Sequence, residues 1–288
     1  MNPPALAEPG NPAASPRLPS IGTLLLAQVR YQLRLLLRSP RALGAGLAIP
    51  ALLLLLSAPR HAGVPAGHLA GLAVLGVTTT AWVTHGIGLV AAREAGVLKR
   101  WRATPLPPWC YFAGRTAATV LVAVLAAAVT VAIGVERFGT RLDTGAAVAV
   151  AVAVALGALA WAAVATAVTG IIPNMESASP ILTLTYLPVI LVSGTFGSLA
   201  SQPRWLTTLI GYLPAQPMID AAARALEHAG GPPLFAGHDL LVLAGWAVAG
   251  VAASTALFRW EPSRPAHRRT AKGHDRGRPA RSSPGYGS

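Results

Sequence analysis

Arg93-Glu94-Ala95-Gly96-Val97-Leu98-Lys99-Arg100-Trp101-Arg102-Ala103-Thr104-Pro105-Leu106-Pro107-Pro108 is a polar island between two long apolar runs. It holds four basic residues and one acid in its first ten positions, followed by a proline cluster. A charged stretch this short cannot form a domain. It reads as a loop at a membrane surface that faces something polar, and its flanks read as membrane-spanning helices.

Composition agrees. The chain has 288 residues and a mean hydropathy of +0.53. Charged residues are 11% of it, against about 25% in soluble domains. In a soluble protein, a net charge of +13 would point to nucleic acid. In a chain this apolar it describes topology instead, and no nucleic-acid partner is expected. The single cysteine, Cys110, excludes an intrachain disulfide and a multi-cysteine metal site. Residues 1–20 lack the basic start and apolar run of a signal peptide. Abundant Arg, Ala, Gly and Pro with only two lysines suggests a GC-rich bacterial genome.

Working outward from the island, six spans of roughly 20 apolar residues are expected, at about 42–58, 68–92, 109–135, 144–172, 179–200 and 239–258. The first is short and holds Pro50. The second is interrupted by Thr78-Thr79-Thr80 and His85, and the fifth holds Pro180 and Pro188. Before them, residues 20–40 form an amphipathic helix lying on the membrane. Leu25, Leu26, Val29, Leu33, Leu36 and Leu37 fall on one arc, with Arg30, Arg34 and Arg38 beyond it. The same stretch also fits a plain basic anchor that sets orientation. Between the fifth and sixth spans, residues 203–217 are too broken for a span and too apolar for a free loop. They read as short re-entrant helices, with Asp220 to His228 as an amphipathic continuation. Residues 1–19 and 261–288 read as disordered tails, the second one basic. The transmembrane domain is thus 41–260.

Lysine and arginine set the orientation. Five precede the first span, five lie between the second and third, and eight follow the sixth. These eighteen stand against five in the alternate loops: Arg60, Arg137, Arg141, Arg204 and Arg224. Both termini are therefore expected in the cytoplasm.

No engine is visible in the chain. Neither lysine follows a glycine, so there is no phosphate-binding loop. There is no His-Glu-x-x-His pair and no Gly-x-Ser-x-Gly elbow. The seven histidines show no ligand spacing, and no metal, catalytic residue or bound cofactor is expected. His85 is the one titratable side chain well inside a span, more often a packed, hydrogen-bonded residue than a proton relay. Any uphill transport would draw its energy from a partner.

The island, read as Arg-Glu-x-Gly-x-Leu-Lys-Arg-Trp-Arg-x-Thr-Pro-Leu-Pro, resembles the cytoplasmic coupling segment of ABC-2 type transporter permeases. Leu187-Pro188, Ser193-Gly194-x-Phe196, Pro203-x-Trp205-Leu206, Leu213-Pro214 and Asp220-x-x-x-Arg224 resemble that family's run through the fifth span and the outer re-entrant region. Val97 stands where a threonine is common, and Gly197-Ser198 replaces a frequent Phe-Pro.

The resemblance implies an all-α permease subunit of a bacterial exporter of drugs or lipids in the cell membrane. It implies a separate ATPase subunit that carries ATP and Mg, and a second permease copy that makes a homodimer; membrane lipids surround both. Residues Arg93, Glu94, Gly96, Leu98, Lys99, Arg100, Arg102, Thr104 and Pro105 would then meet the ATPase, with Glu94 accepting an ion pair or hydrogen bond from it. Thr78, Thr79, Thr80, His85, Asn174, Ser177 and Tyr186 are candidates for the substrate pathway, and each also fits interhelical hydrogen bonding. Ser193, Gly194, Phe196, Trp205, Leu213 and Pro214 would form the outer gate. The substrate itself is not readable. The rival readings are a non-transporting membrane scaffold and a membrane-embedded enzyme; a neighbouring gene for a Walker-type ATPase would separate them.

Overall fold

The computed structural model describes residues 20–57, 63–104, 107–193, 203–231 and 235–257. The expected tails, Pro105, Gly194 and Phe196 lie outside the described residues, as does the side chain of Arg102. Every regular element among the described residues is a helix. Helix α1 is Ile21–Leu37, α2 Pro40–Leu43 and α3 Ile49–Ser57, with a π-helical stretch at Gly44–Ala48 between the last two. Helix α4 is Ala66–Thr78 and α5 His85–Glu94, joined by a second π-helical stretch at Thr79–Thr84. Then come α6 Val97–Arg102, α7 Pro108–Phe138, α8 Thr144–Thr169, α9 Met175–Val192, α10 Arg204–Gly211, α11 Ala215–Glu227 and α12 Gly237–Leu257.

Among the described residues, five helices are long and apolar enough to cross a membrane: Ala66–Glu94, Trp109–Phe138, Thr144–Thr169, Met175–Val192 and Gly237–Leu257. The stretch expected to be the first span is a shorter apolar helix, Gly44–Ser57. The interruption expected in the second span falls where the π-helical turns are. There Thr79 and Thr80 turn their hydroxyls back onto the carbonyls of Leu75 (2.8 Å) and Gly76 (2.9 Å), competing with the ordinary ladder.

Helix α8 is the post around which the others stand, touching α4, α5, α7, α11 and α12. Its run of alanine, valine and glycine gives neighbouring backbones room to approach. Gly157 lies against Met218 of α11, and Gly250 of α12 lies against Ala163 and Val164. Trp161 meets Trp82 edge to face at 5.4 Å. Asp143 caps the helix by accepting from the amide of Ala146 at 2.8 Å. Helix α11, read from sequence as an amphipathic continuation, is buried along most of its length against α8 and α4.

Helix α1 lies along α7, with Leu36 packed on Ala118 and Val122. The side it turns inward includes Val29, Leu33 and Leu36 of the leucine arc read from sequence, but is shifted to one edge of that arc. Gln28 and Gln32 are buried, whereas Leu26 and Leu37 are exposed. The reason is on α7: Gly114 makes room for Gln28, and Arg115 needs the acceptor that Gln32 carries.

Candidate functional site

Helix α5 ends at Glu94 and the chain turns through Gly96, whose φ of 68° is left-handed. A Cβ there would meet nothing within 4 Å. Glycine suits the left-handed conformation of this turn. The turn lays α6 back beneath α5 and α7. Leu98 is fully buried, packed with Leu89 and Tyr111. Trp101 meets the ring of Tyr111 at 5.7 Å, and Thr104 donates to the carbonyl of Trp101 at 2.7 Å. With Leu98 pointing inward, Lys99 and Arg100 point outward and are exposed. Arg100 also donates to the carbonyl of Ala95 at 3.3 Å.

Arg93 and Glu94, grouped with those cations in the sequence reading, are engaged within the chain. Arg93 is 2% exposed. It donates to the carbonyls of Thr169, at 2.9 Å, and of Ile172. The carboxylate of Glu94 accepts from the amide of Met175 at 2.7 Å. All three partners lie more than seventy positions ahead in the chain, so no local pattern discloses them.

A buried polar cluster stands above this end. His85 bonds through Nδ1 to Thr119 Oγ1 at 2.8 Å and through Nε2 to Thr166 Oγ1 at 3.1 Å. Arg115 donates to Gln32 Oε1 at 3.2 Å and to the His85 carbonyl at 3.3 Å, and Gly88 leaves the space its guanidinium fills. Arg115 was counted from sequence among the loop cations; it is inside α7 and buried. Gln32, Thr119 and Thr166 were not singled out. Gln28 and Gln32, one turn apart among leucines, were the available signal.

The candidate pathway residues divide into two places. Thr79 Oγ1 and Tyr186 Oη are 3.5 Å apart, and Trp82 Nε1 donates to the Leu182 carbonyl at 2.8 Å, joining the π-helical stretch to α9. Thr78 is buried beside them, its hydroxyl without a partner among the described residues. Asn174 and Ser177 stand at the start of α9, about 18 Å and about 14 Å from Tyr186 along the axis at 1.5 Å per residue. There Asn174 Oδ1 caps α9 by accepting from the Ser177 amide at 2.9 Å. An apolar groove of about 1240 Å³ runs between α7, α8 and α12, lined by Phe112, Val120, Leu156 and Val251 with Thr116 and Thr166. It contains none of the pathway candidates.

At the other end, Ser193 is buried and donates to the Val189 carbonyl at 2.6 Å, Trp205 is 68% exposed, and Pro214 is buried before α11. Leu213 is half-buried. Arg224 pairs with Asp239 at 2.6 Å. Burial raises the Asp220 carboxyl above the ordinary aspartate range, opposed by a hydrogen bond from Gln216 and reinforced by the charge of Asp239. The Asp143 carboxyl is held low by the amides of Ala146 and Gly230. The two act with opposite sign on stability. What Asp143 contributes is present above the ordinary aspartate range and lost as the pH falls through its depressed value. What Asp220 contributes is present below that range and lost as the pH rises through its raised value. Thermal unfolding at a series of pH values should show Asp143→Ala removing the acid-side loss and Asp220→Asn removing the loss above it.

Among the described residues no group of three or more His, Cys, Asp or Glu is placed to hold a metal ion. A family model described as ABC-2 type transporter matches residues 23–226. No curated protein matches the chain.

Proposed function

This chain belongs to the ABC-2 type transporter family, and from that premise we propose that it is the permease subunit of an exporter, driven by a separate ATPase that docks on α6. It is a multi-pass membrane protein with a transport role, and its family works with an ABC ATPase subunit. The observation that carries the docking proposal is the construction of α6. It is a short helix between two spans, anchored from inside by Leu98 and presenting Lys99 and Arg100 outward. A partner with an acidic groove could grip those cations, and the anchor would pass its motion to α5 and α7.

In this reading ATP and Mg belong to the partner. Helix α1 lies on the cytoplasmic leaflet of the plasma membrane, where Arg30, Arg34 and Arg38 are exposed to anionic headgroups. The continuous helix from Pro40 to Ser57 is the first of six spans. Its 18 residues rise about 27 Å, close to the roughly 30 Å of a hydrocarbon core. A second copy of the chain faces α9, which leaves Leu184 (70% exposed), Leu187 and Leu191 on the surface. Substrate moves outward between the two copies, past Thr79 and Tyr186. An apolar amphiphile suits a path without a carboxylate.

Topology tests the reading. Reporter fusions after Arg60, Thr140 and Gly230 should read outside, and fusions after Arg102 and Glu176 inside. A single reversed reporter would break the six-span arrangement, and a reversal after Arg102 would remove α6 from the cytoplasm.

A further inference from the structure

We propose that Arg93 and Glu94 are a positioning pair that carries the motion of α6 to α9, through the corner between α8 and α9; the proposal rests on the docking reading above. The corner, residues 170–174, connects the end of α8 to the start of α9. Arg93 grips one side of it, at the carbonyls of Thr169 and Ile172, and Glu94 grips the other, at the amide of Met175. The charges match what they touch. A helix C-terminus presents unpaired carbonyls and partial negative charge, and an N-terminus presents unpaired amides and partial positive charge. Consecutive residues of opposite sign thus hold two consecutive helix ends. Gly86, two turns earlier on α5, packs against Leu182 of α9 and Thr169 of α8, so the grip has a second point of support.

What is held matters. Helix α9 is among the least enclosed of the long helices, with 17% of its apolar window buried, and it contains Pro180 and Pro188. Among the described residues its polar ties to the other helices are few: Trp82 to Leu182, Tyr186 near Thr79, and the Glu94 hydrogen bond at its first turn. Helix α6 is joined to Glu94 by two residues, Ala95 and Gly96. A displacement of α6 therefore reaches the start of α9 without passing through α7. Glu94 acts here inside its own chain and is not the residue that meets the ATPase.

The substitutions that decide this are Glu94→Gln and Glu94→Ala. The glutamine keeps an oxygen that accepts from the Met175 amide and discards the charge. The alanine discards both. Spin labels at Ala103→Cys on the α6 end, Glu176→Cys on α9 and Thr255→Cys on α12, placed in pairs in a Cys110→Ala background, report the distances. The chain is held in nanodiscs with its ATPase, with and without ATP and vanadate. In the parent, ATP should change the 176–255 distance and leave the 103–176 distance unchanged. Glu94→Gln should preserve both results. Glu94→Ala should broaden the 103–176 distance and abolish the ATP-dependent change at 176–255. It should also speed hydrogen exchange at the Met175 amide about tenfold, the loss expected for a helix cap.

An α6 that moves on ATP while α9 stays fixed in the parent overturns the pair and leaves the docking reading standing. A Glu94→Gln variant as impaired as Glu94→Ala also overturns it, because the charge would then be serving a partner. An ATPase that does not bind, or ATP that moves neither helix, overturns the docking reading and this proposal with it.

Discussion

Leu98→Asp leaves the chain inserted in the membrane and abolishes ATP-driven transport. Helix α6 has six residues, too few to hold its shape alone in water. Its place depends on Leu98, fully buried between Leu89 and Tyr111, and on the ring contact of Trp101 with Tyr111. Burying a leucine side chain is worth roughly 1.5–3 kcal/mol. Burying an unpaired carboxylate in the same pocket costs more than that. The aspartate therefore turns to water and α6 comes away. The spans insert independently of this pocket, so protein level and topology should match the parent. Losing about 3 kcal/mol of positioning corresponds to on the order of a hundredfold in transport rate. Leu98→Ala, which keeps the pocket apolar, should lie between the two. Uptake into inverted vesicles at matched protein level reads the difference, and a Leu98→Asp chain that transports like the parent would detach α6 from the mechanism.

Gly250→Leu prevents the last span from packing. A Cβ at residue 250 would stand 2.7 Å from the amide nitrogen of Val164 and 2.8 Å from the Cβ of Ala163. The first of these is backbone and cannot step aside, so α12 must move away from α8 along a crossing where Leu243, Ala247 and Gly250 are all buried. In lipid, apolar side chains gain nothing by leaving the bilayer for a helix interface, and close packing carries the association. Overpacking costs roughly 1–3 kcal/mol when side chains can adjust, and the backbone contact puts this site at or above the top of that range. The expected outcome is loss of the monodisperse species in mild detergent and a lower thermal transition. Val248→Leu, two residues away and 71% exposed, is the control and should behave as the parent. Equal transitions for Gly250→Leu and the parent would contradict the packing described for α8 and α12.

The long helices were legible because each depends on a run of apolar residues that any window of sequence contains. The stretches at 68–92, 109–135, 144–172, 179–200 and 239–258 each correspond to one helix. Offsets at their ends have local causes. Helix α9 starts at Met175, a turn earlier than its apolar run, because Asn174 caps it. The break at Thr78-Thr79-Thr80 was legible too, since three consecutive hydroxyls offer the backbone alternative acceptors and donors.

What escaped depends on residues far apart in sequence. Counting charges treats Arg93 and Arg115 like Lys99, although two of the three are buried against carbonyls. Glu94 gives no sign that its partner is Met175. The inward face of α1 takes in Val29, Leu33 and Leu36 of the leucine arc but is displaced toward Gln28 and Gln32 by Arg115 on another helix, a shift that a wheel drawn from the leucines alone does not show. In the candidate site, the outward cations of α6 were legible, while the inward turn of Leu98, grouped from sequence with the residues meeting the ATPase, and the grip of Arg93 and Glu94 on the α8–α9 corner were not.

The most direct test of the central claim is nucleotide turnover by the purified chain in nanodiscs, measured alone and with its ATPase subunit. The account predicts no ATP binding by the chain alone. It predicts a stable complex with the ATPase whose hydrolysis responds to the chain, and loss of that complex or response in Leu98→Asp. ATP bound or hydrolysed by the chain alone, or a complex indifferent to Leu98→Asp, would contradict it.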